Sequence, residues 1–219
     1  MKVTGKELWS ARVDGKLLSS ADSQANSRFQ KARCLLEWCT ALGKLRKVKF
    51  PQQVKRLQEE AARAFVALSA GPLDKSLKGQ VDYHSAMLEM ERGELASARK
   101  NLLEFANSMP DHALAPSVLF EEARSWEEED SAMARTHYQA LITRYKQSEK
   151  VADAMVQIGV LYSKDKKHEL AATVLMQYLE RFPNSEIAPK VHYKIAQCTL
   201  VRLRRRGVLS YMNLLPKSS

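Results

Sequence analysis

The stretch that decides the fold runs from residue 151 to residue 187 and reads VADAMVQIGVLYSKDKKHELAATVLMQYLERFPNSEI. Its apolar residues recur at steps of three and four, which predicts amphipathic helices. Gly159 and Ala171 are small, and small residues let two antiparallel helices approach closely where they cross. Pro183 follows the second helix, at a place where a proline ends it. The stretch therefore predicts one antiparallel helix pair.

The same spacing occurs upstream of this pair. Alanines near the starts of the second helices lie 36 and 37 residues apart: Ala98, Ala134 and Ala171. The residues after those helices have the same two spacings: Pro110, Lys146 and Pro183. Two landmarks with a common spacing indicate an internal repeat. Because one helix pair cannot bury its apolar face alone, the pairs are expected to stack.

The other units have fewer of the residues that mark the helix crossing in this pair. The second unit has Ala123 and Trp126 in its first helix, and we interpret Trp126 as a packing residue. The first unit has Ala86 at the corresponding place. A fourth first helix is expected at residues 191–196, without a second helix to follow it.

The third unit resembles the tetratricopeptide repeat. Met155-x-x-Ile158-Gly159-x-x-Tyr162, followed by Ala171-x-x-x-Leu175 and Pro183, closely resembles the signature W-x2-L-G-x2-Y…A-x3-F…P. Met155 and Leu175 replace aromatic residues of that signature but keep apolar bulk. Residues 138–145 and 175–185 are also similar to bacterial envelope tetratricopeptide proteins, such as the outer-membrane assembly lipoprotein D and the Tol-Pal accessory proteins. The resemblance covers roughly residues 80–198.

The fold class expected from these patterns is all-α, an α-solenoid of antiparallel helix pairs. We expect three parts: an N-terminal helical segment (residues 1–72), a repeat domain (73–200) and a basic and apolar tail (201–219) that forms a truncated or irregular cap. The N-terminal segment should hold a short helix through Lys6–Val13 and long helices at about 22–48 and 51–70, since Phe50-Pro51 marks a break between the long ones.

Composition sets limits on the function. Apolar residues make up 45% of the 219 residues, which is enough for a core, and no apolar run is long enough to span a membrane. Three cysteines (Cys34, Cys39 and Cys198) do not form a disulfide framework and are expected to be small buried residues. The N-terminus lacks an apolar core typical of a secretory or lipoprotein leader. We therefore expect a cytoplasmic location by default, and only the family resemblance suggests the envelope or periplasm.

The sequence offers no catalytic residues, no metal ligands and no cofactor. It contains no Walker loop, no G-x-G-x-x-G, no H-E-x-x-H and no G-x-S-x-G motif. The five histidines are scattered, and the acidic run 127–130 is expected to be a solvated loop. Trp9 and Trp38, like Trp126, are expected to be packing residues. We therefore predict that the protein is not an enzyme.

The resemblance implies that the first helices line a concave groove for a partner peptide or helix. The residues one turn on either side of each crossing should face that groove: Tyr83, Met87, Phe120, Arg124, Val156, Val160, Tyr193 and Gln197. Val156 and Val160 could instead pack against a neighbouring helix. The first hypothesis is accordingly a protein-interaction scaffold.

A second hypothesis rests on the net charge of +10. Basic residues cluster at Lys44–Lys49 and at Arg202–Arg206, where they would bind nucleic acid or an anionic surface. Four arginines without interleaved aromatic residues are a weak signal for nucleic acid, and a solvated tail explains them as well. Nothing in the sequence fixes the oligomeric state.

Overall fold

The computed structural model describes residues 12–13, 16–17, 20–44 and 51–205. From residue 20 onward the described chain is all-α, as predicted. The helices follow one another in the order α1 (Ser20–Lys44), α2 (Pro51–Ser69), α3 (Lys75–Glu91), α4 (Leu95–Ser108), α5 (Ala115–Ser125), α6 (Ser131–Arg144), α7 (Lys150–Lys164), α8 (His168–Arg181) and α9 (Ala188–Arg205). None of these helices is both long enough and apolar enough to cross a membrane.

The described N-terminal residues form a minimal hairpin. Strand β1 (Arg12–Val13) pairs antiparallel with β2 (Lys16–Leu17). The expected helix through Lys6–Val13 is thus wrong at its last two residues, and residues 6–11 lie outside the described part of the chain.

Two helix bounds differ from the expected ones. Helix α1 begins at Ser20, two residues early, and the expected extension from 45 to 48 lies outside the described residues. Helix α9 continues to Arg205, so the expected tail does not begin at residue 201. Arginine and leucine are good helix formers, and the sequence has no glycine or proline between Lys190 and Arg206 to stop the helix. The part of the expected cap beyond residue 205 lies outside the described residues.

The chain divides into two compact units, Met1–Val118 and Leu119–Ser219. The core of the first unit is built by α1, α2 and α3. It contains Phe29 and Phe65, whose rings lie 6.5 Å apart, with the ring of His84 placed 5.5 Å and 6.4 Å from them. Burial, and to a lesser degree the nearby Arg33, lower the pKa of His84, which favours a neutral ring inside this core.

Two expectations about α1 are wrong. Cys34 and Trp38 are exposed, Trp38 to 66%, although both were expected to pack inside. The helix buries Phe29, Ala32 and Leu36, which lie three and four residues apart. Cys34 and Trp38 fall two residues to either side of Leu36, so they point away from that stripe.

The second unit stacks its helices in chain order. Helix α6 packs on α7, α7 on α8, and α8 on α9. Tyr138 of α6 and Tyr178 of α8 are both fully buried. The Tyr178 hydroxyl bonds to Ser185 Oγ at 2.6 Å, which fastens the turn after α8. This stacking positions the outward faces of α7 and α9.

Candidate protein-binding surface

Gly159 fixes which face of α7 points inward. A Cβ atom added at Gly159 would lie 2.6 Å from Leu175 Cδ2 of α8, closer than carbon atoms can approach. Ala171 and Leu175 are buried at the same crossing. Helix α7 therefore turns its Gly159 side toward α8, as the repeat signature implies.

The residues on either side of this crossing differ in exposure. Val156 is half-buried, whereas Val160 is 38% exposed. Tyr162 is half-buried, and the guanidinium of Arg135 lies 4.5 Å from the centre of its ring. Val160 thus leaves part of an apolar side chain exposed to water, whereas Val156 is largely covered by its neighbours.

Among the residues predicted to face the groove, Tyr193 of helix α9 has a large solvent-exposed fraction. Tyr193 is 66% exposed, and Gln197 is exposed one turn later. The opposite face of α9 carries Val191 and Cys198, both buried, so the helix is anchored while its outer face stays accessible.

A cavity of about 310 Å³ lies where the end of α7 and the start of α8 meet α9. Its lining consists of Ser163, His168, Gln197, Cys198, Leu200, Val201 and Arg204. Nδ1 of His168 is buried and has no hydrogen-bond partner within the described structure. The cavity is large enough to receive a side chain and joins the face that holds Gln197.

The two predicted residues of α5 have other partners in the structure. Phe120 is 8% exposed and lies 5.2 Å from the ring of Tyr138, with Lys150 Nζ 5.1 Å above its own ring. Arg124 is exposed and pairs with Glu121 at 2.6 Å. Burial raises the pKa of Glu121, although Arg124 and Lys150 partly oppose this shift. Phe120 therefore works mainly as a packing residue.

The two predicted residues of the first unit are half-buried. Tyr83 stands edge-on to His84 with ring centres 5.2 Å apart. Met87 packs against the core of that unit. Their assignment to a binding surface stays a prediction.

The remaining signature residues occupy structural positions. Four alanines are completely buried: Ala98, Ala123, Ala134 and Ala171. Pro110 and Pro183 each stand two residues beyond a helix end, after α4 and α8. Trp126 is half-buried, and its indole N–H donates to Glu122 Oε1 at 2.9 Å while its ring stacks on His137.

The charged groups inside the second unit serve to join helices. Asp165, at the end of α7, accepts hydrogen bonds from Arg135 Nη1 at 2.6 Å and from Ser131 Oγ at 2.9 Å. Burial alone would raise the pKa of Asp165, but these bonds from α6 outweigh it and leave the pKa below its usual value. Tyr138 likewise donates to Glu127 at 2.6 Å, so this member of the acidic run is engaged in the fold.

No group of three or more potential metal ligands occurs among the described residues. The structure describes only part of the two basic segments, Lys44–Lys49 and Arg202–Arg206. Arg202 pairs with Glu169 at 3.5 Å and Arg204 is exposed, while residues 45–49 and Arg206 lie outside the described part.

Comparison with known proteins supports the repeat class. Residues 153–185 match the family model described as Tetratricopeptide repeat. Two solved structures share the fold: the nearly identical TPR-like repeats of a Podosopora anserina kinesin light chain, and a single-substitution variant of them. Their TM-scores are 0.60 and 0.59, each at 12% identity, and the alignments cover 89% and 90% of this chain and 94% and 95% of those chains.

At that identity the likeness shows the fold alone. The search of curated proteins found no match. The narrower resemblance to bacterial envelope lipoproteins has no support in these comparisons.

The predicted groove residues did not include Leu200 or Arg204, although Arg204 was named as part of the basic cluster Arg202–Arg206. Leu200, 51% exposed, and Arg204 continue the outer face of α9 beyond Gln197. Their spacing was visible, since they lie seven and eleven residues after Tyr193. Leu200 was left out because the fourth first helix was expected only at residues 191–196, and Arg204 was assigned to a basic tail and not to a helix face.

Proposed function

We propose that the protein is a non-catalytic scaffold that binds a partner protein on the outward faces of its first helices. In the second unit this surface consists of Val160 on α7 together with Tyr193 and Gln197 on α9. The proposal agrees with the tetratricopeptide match, because repeats of this class generally mediate protein–protein contacts.

The observation that carries the proposal is the exposure of Tyr193. A tyrosine that is two-thirds exposed leaves a large apolar ring in water, while its neighbours Val191 and Cys198 are buried. Tyrosine loses little side-chain entropy when it is held and offers both an apolar ring and a hydroxyl, which is why it is frequent at binding hot spots. Val160 adds a second exposed apolar side chain.

The test compares two double variants of the full chain as bait for proteins in a cell lysate. The face variant carries Val160→Ser and Tyr193→Ser. The control variant carries Leu170→Ser and Met176→Ser, which change two side chains of α8 that are 48% and 47% exposed. All four side chains are accessible, so neither variant removes a buried packing group.

The expected result is a discrete protein that the unaltered chain and the control variant retain in high salt and the face variant loses. Loss of the same protein from the control variant instead would place the site on α8 and contradict the proposal. Recovery of nucleic acid alone, released by salt and unchanged in the face variant, would contradict it as well.

A further inference from the structure

The outer face of α9 carries a regular row of side chains. Tyr193, Gln197, Leu200 and Arg204 follow one another at steps of four, three and four residues, which places them on one side of a helix. All four are exposed in the structure. Lys190, also exposed, precedes the row by three residues. We call these five residues the α9 stripe.

The middle of the stripe carries two large exposed apolar side chains, Tyr193 and Leu200, with Gln197 between them. Tyr193 and Leu200 are 66% and 51% exposed, and Leu200 borders the cavity that Cys198 and Val201 also line. An apolar side chain laid between Tyr193 and Leu200 would remove both from water and reach the mouth of that cavity.

The two ends of the stripe are basic, at Lys190 and Arg204. Helix α9 contains five lysine and arginine residues and no acidic residue in its sequence. Arg202 is engaged by Glu169 of α8, on a different side of the helix from the stripe. The acidic residue nearest in sequence, Glu186, lies before the helix begins. The surface thus presents positive charge on both sides of an apolar centre.

We propose that the α9 stripe binds an acidic segment of a partner protein. Apolar side chains of that segment contact Tyr193 and Leu200, and its carboxylates face Lys190 and Arg204. The apolar centre supplies affinity, whereas the charged ends supply selectivity and a faster association. This inference rests on the proposed function and deepens it, because it names the chemistry of the partner.

The experiment selects binders from a library of random displayed peptides with the immobilised full chain as the target. Enriched peptides are then synthesised with a fluorescent label, and their Kd is measured by anisotropy. Three variants of the stripe are compared: Leu200→Ser, Tyr193→Ser and the double variant Lys190→Glu/Arg204→Glu. Leu170→Ser and Lys100→Glu are the matched controls, since both side chains are exposed on other helices. Circular dichroism verifies that every variant is folded.

The expected result is a set of peptides with net negative charge and aliphatic or aromatic residues. Each stripe variant should weaken their binding by about tenfold, and the controls should leave it unchanged. Added salt should weaken binding further, mainly through a slower association.

Other outcomes separate this inference from the proposed function. Neutral or basic peptides that require Tyr193 and Leu200 would overturn the acidic partner but leave the binding surface in place. Peptides that bind all stripe variants as well as the unaltered chain would overturn both. A duplex DNA probe bound through Arg204, or self-association of the chain abolished by Leu200→Ser, would assign the stripe to a different occupant and overturn the inference.

Discussion

At the scale of single residues, Gly159 determines how closely α7 approaches α8. Replacing it with alanine adds a methyl group where Leu175 Cδ2 would be only 2.6 Å away. We expect Gly159→Ala to lower the free energy of unfolding by about 1–3 kcal/mol, because a packed core resists an added group. Urea denaturation of the two proteins measures this difference.

A glycine without such a neighbour provides the control. At Gly71 an added Cβ would lie 3.5 Å from a backbone oxygen, an ordinary contact, so Gly71→Ala should change stability by about 0.5 kcal/mol or less. Combining Gly159→Ala with Leu175→Ala should cost less than the sum of the two single changes, since the shorter side chain makes room for the methyl group. Strict additivity would contradict the close contact.

The signature predicted the small and buried residues of the repeat well. Gly159, Ala171 and Ala134 are defined by the local geometry of a helix crossing, and their spacing carries that information. The burial of Phe120 could not be predicted from the spacing of the sequence. Its ring is covered by Tyr138 and Lys150, which belong to other helices. A residue at a groove position of the repeat therefore need not be exposed.

At the scale of helices, hydrogen bonds and ion pairs between side chains connect one helix pair with the next. Arg135 and Ser131 of α6 reach Asp165 at the end of α7, and Lys164 pairs with Glu128 before α6 at 2.9 Å. The side chain of Arg135 is only 10% exposed, and the carboxylate of Asp165 compensates its buried positive charge. These polar contacts add to the apolar contacts between α6 and α7.

The hydrogen bonds and ion pair of Asp165 predict that the stability of the fold depends on pH. The pKa of Asp165 in the folded protein is below the ordinary value of 3.8, so the ionised carboxylate stabilises the fold above that pH. This contribution is lost as the pH falls through the lowered pKa. Asp165→Asn should therefore destabilise the protein at neutral pH, and the gap between variant and unaltered chain should stay level on mild acidification and shrink as the pH falls below 3.8.

Urea denaturation at several pH values measures this gap. Asp153→Asn is the control, because Asp153 lies on the same helix in an exposed pair with Lys150, and its loss should cost about 0.5 kcal/mol or less at neutral pH. A gap for Asp165→Asn that stays constant as the pH falls below 3.8 would show that the carboxylate charge does not stabilise the fold.

Helix existence was easier to predict than helix ends. The bounds of α2 agree closely with the apolar pattern and with Pro51 as its first residue. The end of α9 was misjudged, because arginines were taken as a tail although arginine sustains a helix well. For the same reason Arg204 was assigned to a basic tail and not to the face of α9 that also carries Leu200.

At the scale of the whole molecule, the helical repeat architecture explains why the sequence contains so little recognisable chemistry. Repeats bury small and apolar residues at their crossings and leave the outer helix faces free to vary. Function then depends on which side chains those faces carry, and no local motif encodes that choice. The fold class was therefore predictable from spacing, whereas the binding surface required the exposure of individual side chains.

The measurement that tests the central claim most directly is site-specific photo-crosslinking in cells. A photo-reactive phenylalanine analogue is placed at Tyr193 in one protein and at Leu170 in another, so that the two positions probe α9 and α8 with comparable access to water. A discrete protein adduct that forms at position 193 and not at position 170 is the predicted result. An adduct at position 170 alone, or none at position 193, would contradict a partner on the outer face of α9.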